Sequence, residues 1–187
     1  MQDITHYHEK LLNLNHINNE SLVLDLGANI GDITDLIYQR YAPNIHCFEP
    51  NISCCKYMQN RFKDINKIHV YNLAVSNFTG KASLFFHKHS KNISEYNQRS
   101  SLKPDKDELD VKKKIEVNCI HIKELLDRYN KIDLIKIDIE GSEYEIMPEI
   151  IKNRHKVNMV ICETHGNPKG KKIPNFDGTK LEIKNKA

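Results

Sequence analysis

The sequence predicts an α/β domain built on a doubly wound, mostly parallel sheet. Three observations predict it. Short apolar runs of strand length alternate with stretches whose apolar residues recur at helical spacing. The first of these runs, Leu22–Leu26, passes through a glycine-bearing bend straight into a helix. Four runs end in a carboxylate, at Asp25, Glu49, Asp138 and Glu163. In open α/β sheets, ligands sit beyond the carboxyl ends of the strands. The 187 residues suffice for one domain with a full core.

Residues 1–20 are polar, with Leu11, Leu12, Leu14 and Ile17 as an apolar stripe, and are expected to form a short helix that caps the sheet. His6, His8 and His16 lie near it without an acidic or cysteine partner and read as surface histidines. Leu22–Leu26 is the first strand, apolar except for Asp25. Gly27, Asn29 and Gly31 make the turn, and Ile33, Leu36, Ile37 and Tyr41 mark the helix that follows. Pro43 and Asn44 end it. Ile45–Glu49 is the second strand. Ser53–Phe62 is a helix with Cys55, Met58 and Phe62 turned inward. Lys67–Ser76 reads as one third strand. After the turn at Asn77–Gly80, Ala82–His87 alternates, with Leu84 and Phe86 on one face, as a hairpin-like return.

Residues 88–114 are polar and weakly periodic and read as a long lid or binding loop. Ile115–Ile120 alternates again, and His121–Asn130 reads as a short helix carrying Leu125, Leu126 and Tyr129. Ile132–Ile139 is a near-continuous apolar run, expected as a buried strand. Ser142 and Glu145 predict a capping box for the next helix, which Pro148 should kink or shorten. Val157–Cys162 is the last core strand. The lysine-rich tail from Asn167 holds only Leu181 and Ile183 for one further edge strand. The expected organisation is a helical cap at 1–20, one domain at 21–166 with its variable loop at 88–114, and a polar tail at 167–187.

Composition narrows the class. Hydrophobic residues make up 39% and charged residues 28%, the balance of a globular protein. The net charge of +3 is too small to argue for nucleic acid. Of the five cysteines, Cys47, Cys119 and Cys162 fall in apolar runs and read as small core residues, while Cys54 and Cys55 sit in the second helix. There is no CxxC, and no metal ligand is assigned. Without a basic flank and apolar stretch at the start, and without a run of about 20 apolar residues, the expectation is a cytoplasmic protein with no membrane partner.

The glycine turn carries the chemistry. Gly27 and Gly31 would let a ligand approach the backbone where a Cβ would collide. Asn29 is among the few non-glycine residues that tolerate positive φ. The dinucleotide version of such a turn is GxGxxG, with pyrophosphate at the helix N-terminus. Here the spacing is GxxxG with Asp25 beside it, a carboxylate that would repel pyrophosphate and welcome a cation with an amino-acid tail. S-adenosylmethionine carries an ammonium and a sulfonium and no phosphate. Glu49 falls roughly 20 residues past the turn, the offset at which an acid takes a ribose diol. Four acids on one rim would form a negative bowl suited to a cationic or hydroxyl-rich ligand.

Five segments then resemble one family in order and spacing: VLDLGANIGDIT (23–34), CFEPN (47–51), NLAVSNFTGKASLF (72–85), IDLIKIDIEGSEYEIM (132–147) and ICETH (161–165). They are similar to the FkbM family of S-adenosylmethionine-dependent methyltransferases, and the resemblance spans Ser21 to Gly166. It implies a Rossmann-like class I methyltransferase sheet and O-methylation of a sugar or small-molecule hydroxyl. Carried over, Asp25, Gly27, Ala28, Asn29 and Gly31 would hold the methionine end. Glu49 would take the ribose, with Pro50 and Asn51 flanking the adenine and Asn72, Ala74 and Val75 bordering its ring. Asp138 and Glu140 would face the transferred methyl and the acceptor. The family's usual antiparallel strand pair after the last core strand has no counterpart in the polar tail, so the far sheet edge would be absent or would come from a second subunit in a homodimer.

A hydroxyl acceptor needs a general base, for which Asp138 and His165 are best placed. A divalent metal on Asp138, Glu163 and His165 is a less favoured reading. Three rival functions stay open at this point: an RNA or protein methyltransferase standing on the basic tail and the 88–114 loop, a nicotinamide dehydrogenase, and a non-catalytic subunit that binds S-adenosylmethionine.

Overall fold

The computed structural model describes residues 14–88, 100–104 and 109–163. The expected N-terminal helix up to residue 13, most of the 88–114 loop, His165 and the tail lie outside the described residues.

Five strands form one parallel sheet. They are β1 (Leu22–Leu26), β2 (Asn44–Phe48), β3 (Ile68–Tyr71), β7 (Leu134–Ile137) and β8 (Val160–Cys162), in the order β3-β2-β1-β7-β8. The chain order reverses between β1 and β7, so the crevice beyond their carboxyl ends is the topological switch point. Because strand side chains alternate, each strand feeds both faces. Leu24, Leu26, Phe48, Ile135 and Ile137 pack under α3 (Ile122–Leu126) and α4 (Glu143–Lys152). Val23, Ile45, Cys47, Leu134 and Ile161 pack under α1 (Asp32–Tyr41) and α2 (Ile52–Arg61), joined by Leu14 and Ile17. Helices on both faces make the fold the doubly wound α/β class expected from sequence. All five cysteines are buried, and none of them forms a disulfide.

The middle of the chain departs from the sequence reading. The run 67–76 is two strands, not one. Leu73 N–H donates to Tyr71 O at 3.0 Å, a tight turn that ends β3. The chain then enters β4 (Ala74–Ser76), in a separate three-stranded sheet with β5 (Gly80–His87) and β6 (Leu109–His121). The expected hairpin between β4 and β5 does not form. β6 lies between them, parallel to β4 and antiparallel to β5. Residues 109–114 therefore belong to a strand and not to the loop. Leu84 and Phe86 do share a buried face, as their alternation predicts, and pack with Ala74, Val117 and Cys119.

Two helix expectations also change. Ser142 makes no side-chain cap bond, so the capping box is absent. Glu145 instead pairs with Lys103, and the Glu143 carboxylate accepts from Gly141 N–H. α4 runs unbroken through Pro148 to Lys152. The helix expected over 121–130 is only the five residues of α3, capped by His121, whose Nδ1 accepts from Lys123 N–H.

Candidate functional site

The turn from Gly27 to Gly31 sits over the switch point, and charged side chains from three elements hold it. Its first amides, Gly27 N–H and Ala28 N–H, donate to Phe48 O at 2.9 and 3.2 Å. Asn29, at φ 52, donates its N–H to Glu49 Oε2 at 2.8 Å. Ile30 O accepts from Arg61 Nη1 at 3.1 Å, while the same guanidinium clamps Asp32 at 2.6 Å and Asp35 at 2.8 Å on α1. Gly27 O accepts from Lys136 Nζ at 2.9 Å.

Gly27, Asn29 and Gly31 all adopt the positive φ that the turn requires. The reason for glycine differs from the one read in the sequence. A Cβ on Gly27 would lie 1.8 Å from Asp138 O, and one on Gly31 would lie 2.6 Å from the Phe62 ring. Both Cβ directions face protein: glycine admits the β7 rim and the α2 core, not a ligand.

Asp25 corrects a second expectation. It is fully buried on the α1 face, where it accepts from Thr34 Oγ1 at 2.7 Å and lies 3.1 Å from Lys136 Nζ, its neighbour across the β1–β7 register. A carboxylate so paired does not open onto the rim and cannot be what repels phosphate. That part falls to Glu49. The residue is 6% exposed, and its carboxylate takes both Asn29 N–H and, at 2.8 Å, Asn51 N–H. Burial pushes its pKa up to about 7, held back by those two backbone bonds. The rim is thus less negative than four acids suggest: Asp25 is neutralised beneath it and Glu49 titrates near neutrality.

Asn51 caps α2, its Oδ1 accepting from Ser53 N–H at 3.0 Å. Its Nδ2 is buried and finds no hydrogen-bond partner among the described residues. Asn72 Nδ2 donates to Glu49 O at 3.0 Å and Pro50 O at 2.8 Å, which fixes the loop between β2 and α2. Ala74 and Val75 lie in β4 with both side chains buried, so they offer no open side-chain face.

Across the switch point, Asp138 follows β7. Its side chain is 31% exposed and its Oδ2 lies 3.9 Å from Lys136 Nζ. Glu140 takes positive φ, 55°, and its carbonyl accepts from Ser101 Oγ at 2.6 Å. Glu163 follows β8 and is exposed. The structure therefore brings Gly27 through Gly31, Glu49, Asn51 and Asn72 together on one side and Asp138 and Glu140 on the other.

Lys136 and Arg61 were missed in the sequence. The signal for Lys136 was present: one cation inside an otherwise apolar strand run must have a buried partner. Arg61 gave none, because a basic residue in the last turn of a helix is ordinary.

The profile of the methyltransferase FkbM domain matches residues 25–185. No curated protein matches. Among solved structures, an rRNA methylase from Streptococcus thermophilus shares 11% identity, with 85% of this chain and 70% of that one covered at a TM-score of 0.47. The cyclopropane synthase MmaA2 from Mycobacterium tuberculosis shares 9%, covering 86% and 42% at 0.46. The precorrin-6y C5,15-methyltransferase from Geobacter metallireducens GS-15 shares 9%, covering 83% and 59% at 0.45. The chain thus spans less than two thirds of the synthase and of the precorrin enzyme.

Proposed function

The chain belongs to the FkbM family of S-adenosylmethionine-dependent methyltransferases, and we propose that within it the protein methylates a hydroxyl oxygen of a sugar or other small molecule. The observation that carries the donor side is Glu49 seated on the turn. In a phosphate-binding turn the amides point at the anion. Here Asn29 N–H is already held by a carboxylate, and Phe48 O takes the amides of Gly27 and Ala28. A pyrophosphate has no place there, which weighs against a nicotinamide cofactor. A carboxylate with lone pairs to spare suits a ribose diol. Asn51 Nδ2, a buried donor without a partner among the described residues, suits an acceptor atom of the same nucleoside.

S-adenosylmethionine supplies an electrophilic methyl group on a sulfonium. The chain supplies alignment and a proton acceptor. The turn would hold the methionine end, Glu49 and Asn51 the nucleoside, and Pro50, fixed by Asn72, the adenine side. Alignment of reacting groups is worth roughly 7–11 kcal/mol of barrier when geometry is well held. Asp138 Oδ2 is the candidate to accept the hydroxyl proton, with His165 as the second candidate, and Glu140 borders the acceptor. A substrate hydroxyl is favoured over RNA because the chain's 28 basic residues are nearly balanced by 25 acidic ones and the net charge is only +3.

The test has two stages. S-adenosylmethionine and S-adenosylhomocysteine should raise the melting temperature and NAD should not. The labelled methyl group should then reach a hydroxyl of a sugar or small-molecule panel. Asp138→Asn should cut turnover by about 10²–10⁴-fold with the fold intact. Turnover near wild type would remove Asp138 as the base. Donor binding without turnover on any acceptor would point to the non-catalytic reading.

A further inference from the structure

Lys136 is the one lysine side chain among the described residues that lies in the core: its side chain is 3% exposed, in the middle of β7. A lysine is rarely fully buried unless it is paired, and this one is paired with three groups from three segments. Its ammonium lies 3.1 Å from Asp25 Oδ1 on β1, donates to Gly27 O on the turn at 2.9 Å, and stands 3.9 Å from Asp138 Oδ2. Glu49, just past β2, and Cys47 on β2 are electrostatically coupled to the same charged centre, and Thr34 on α1, 3.4 Å from Cys47 Sγ, closes it by donating to Asp25. Among the described residues, Lys136 links Asp25 to the Gly27 carbonyl and to Asp138.

We propose that Lys136 is a positioning residue for donor binding. It fixes the Gly27 carbonyl at one end of the cleft and the Asp138 carboxylate at the other, so that the spacing between the donor turn and the acceptor side is set by one side chain. The need is physical. Gly27 has no side chain to anchor it; the amide side of its peptide is held by Ala28 N–H on Phe48 O at 3.2 Å, and Lys136 holds the carbonyl side. The packing of Gly27 against Asp138 O limits how close the two segments come, and Lys136 holds them there from beneath. The inference rests on the methyltransferase reading, because it assigns the turn to the amino-acid end of the donor. S-adenosylmethionine and S-adenosylhomocysteine share that end and differ only at the sulfur. A positioning role must therefore weaken both alike, whereas a long-range charge effect would act on the sulfonium and spare the neutral product.

The experiment is titration calorimetry of the full chain with S-adenosylmethionine and, separately, S-adenosylhomocysteine. Lys136→Met removes the donor to Gly27 O. Because it also strands the buried Asp25 charge and could prevent folding, Asp25→Asn/Lys136→Met, which removes both charges together, is measured beside it. Ile150→Ala, a core truncation on α4 away from the cleft, controls for lost stability. The expected result is a ten-fold or greater rise in Kd for both ligands in the double variant and in any folded single variant, with Ile150→Ala binding as wild type does. Binding by the double variant within three-fold of wild type would overturn the proposal, and so would a loss confined to S-adenosylmethionine. A wild-type protein that binds neither ligand would instead refute the donor assignment itself, which separates the two failures.

Discussion

Replacing Gly27 by alanine separates two reasons for a glycine, and the structure assigns each a cost. An L residue at φ 78 sits in the left-handed region, which costs about 1–2 kcal/mol. At Gly27 the new Cβ would also lie 1.8 Å from Asp138 O and 2.8 Å from its carbonyl carbon. Those are backbone atoms, and Asp138 N–H is itself bonded to Leu26 O at 3.0 Å. Relief requires the β7 rim to move and that hydrogen bond to weaken, adding roughly 1–3 kcal/mol. The sum is about 2–5 kcal/mol, a large fraction of the 5–15 kcal/mol typical of a domain. Gly31→Ala is the internal control. Its φ is 84°, so the backbone cost is similar, but the Cβ meets only the tip of the Phe62 ring at 2.6 Å and Met58 Cγ at 3.1 Å. Those side chains can turn, and the total should stay near 2 kcal/mol. Urea unfolding should therefore rank wild type above Gly31→Ala, and Gly31→Ala above Gly27→Ala by about 1–2 kcal/mol. Equal stabilities would refute the packing argument. Wild-type stability for Gly27→Ala with lost donor affinity would restore the view that glycine is there to admit the ligand.

Two further predictions concern titration. Glu49 must be ionised to accept from a ribose diol while holding both backbone amides, and burial lifts its pKa to about 7. Donor affinity should accordingly rise about ten-fold between pH 6 and pH 8, as the competent fraction grows, and calorimetry on Glu49→Gln should show weaker binding with that rise absent. On stability, Glu49 and His46 work in opposite directions. The raised Glu49 pKa contributes stability below pH 4.5 that is lost as pH rises towards 7. His46 is pushed down to about 4 by burial and by His69, and contributes stability above its ordinary 6.5 that is lost on acidification towards 4. Glu49→Gln should leave the His46 slope alone. The unfolding free energy from denaturant titrations should then fall from pH 6.5 to 4 by up to about 1.4 kcal/mol per pH unit, less in practice because the ring is half-buried, where wild type is flatter; a steeper wild-type slope would contradict the opposition.

Much of this was legible in the sequence because it depends on local pattern. Leu22–Leu26 is a five-residue apolar run that one buried strand explains, and it is a strand over those residues. The positive φ of Asn29 follows from its place between two glycines. What failed depended on non-local pairing. Nothing near Asn72 in sequence shows that its amide will reach the carbonyls of Glu49 and Pro50 and split a strand in two. Nothing in residues 109–114 shows that they will lie along β5 rather than form a loop. Asp25 was seen as an acid at a strand end, but the cation that pairs it in the core, Lys136, lies more than a hundred positions away. Alternation along β1 already put Asp25 on the Val23 face and not the Leu24 face. The direction was readable, and its partner was not.

The seating of Glu49 shows how a single carboxylate can make the cleft selective. Its two oxygens hold Asn29 and Asn51, so the glycine turn and the start of α2 are tied through one side chain. An incoming phosphate would have to take Asn29 N–H from it, leaving one buried anion beside another, which low-dielectric surroundings penalise heavily. A diol makes no such demand. Each carboxylate oxygen can accept more than one hydrogen bond, so hydroxyls can donate to Glu49 while both backbone bonds stay in place. The residue that closes the turn to anions is therefore the one that would leave it open to a nucleoside, most fully once its carboxyl, whose pKa burial raises to about 7, has lost its proton.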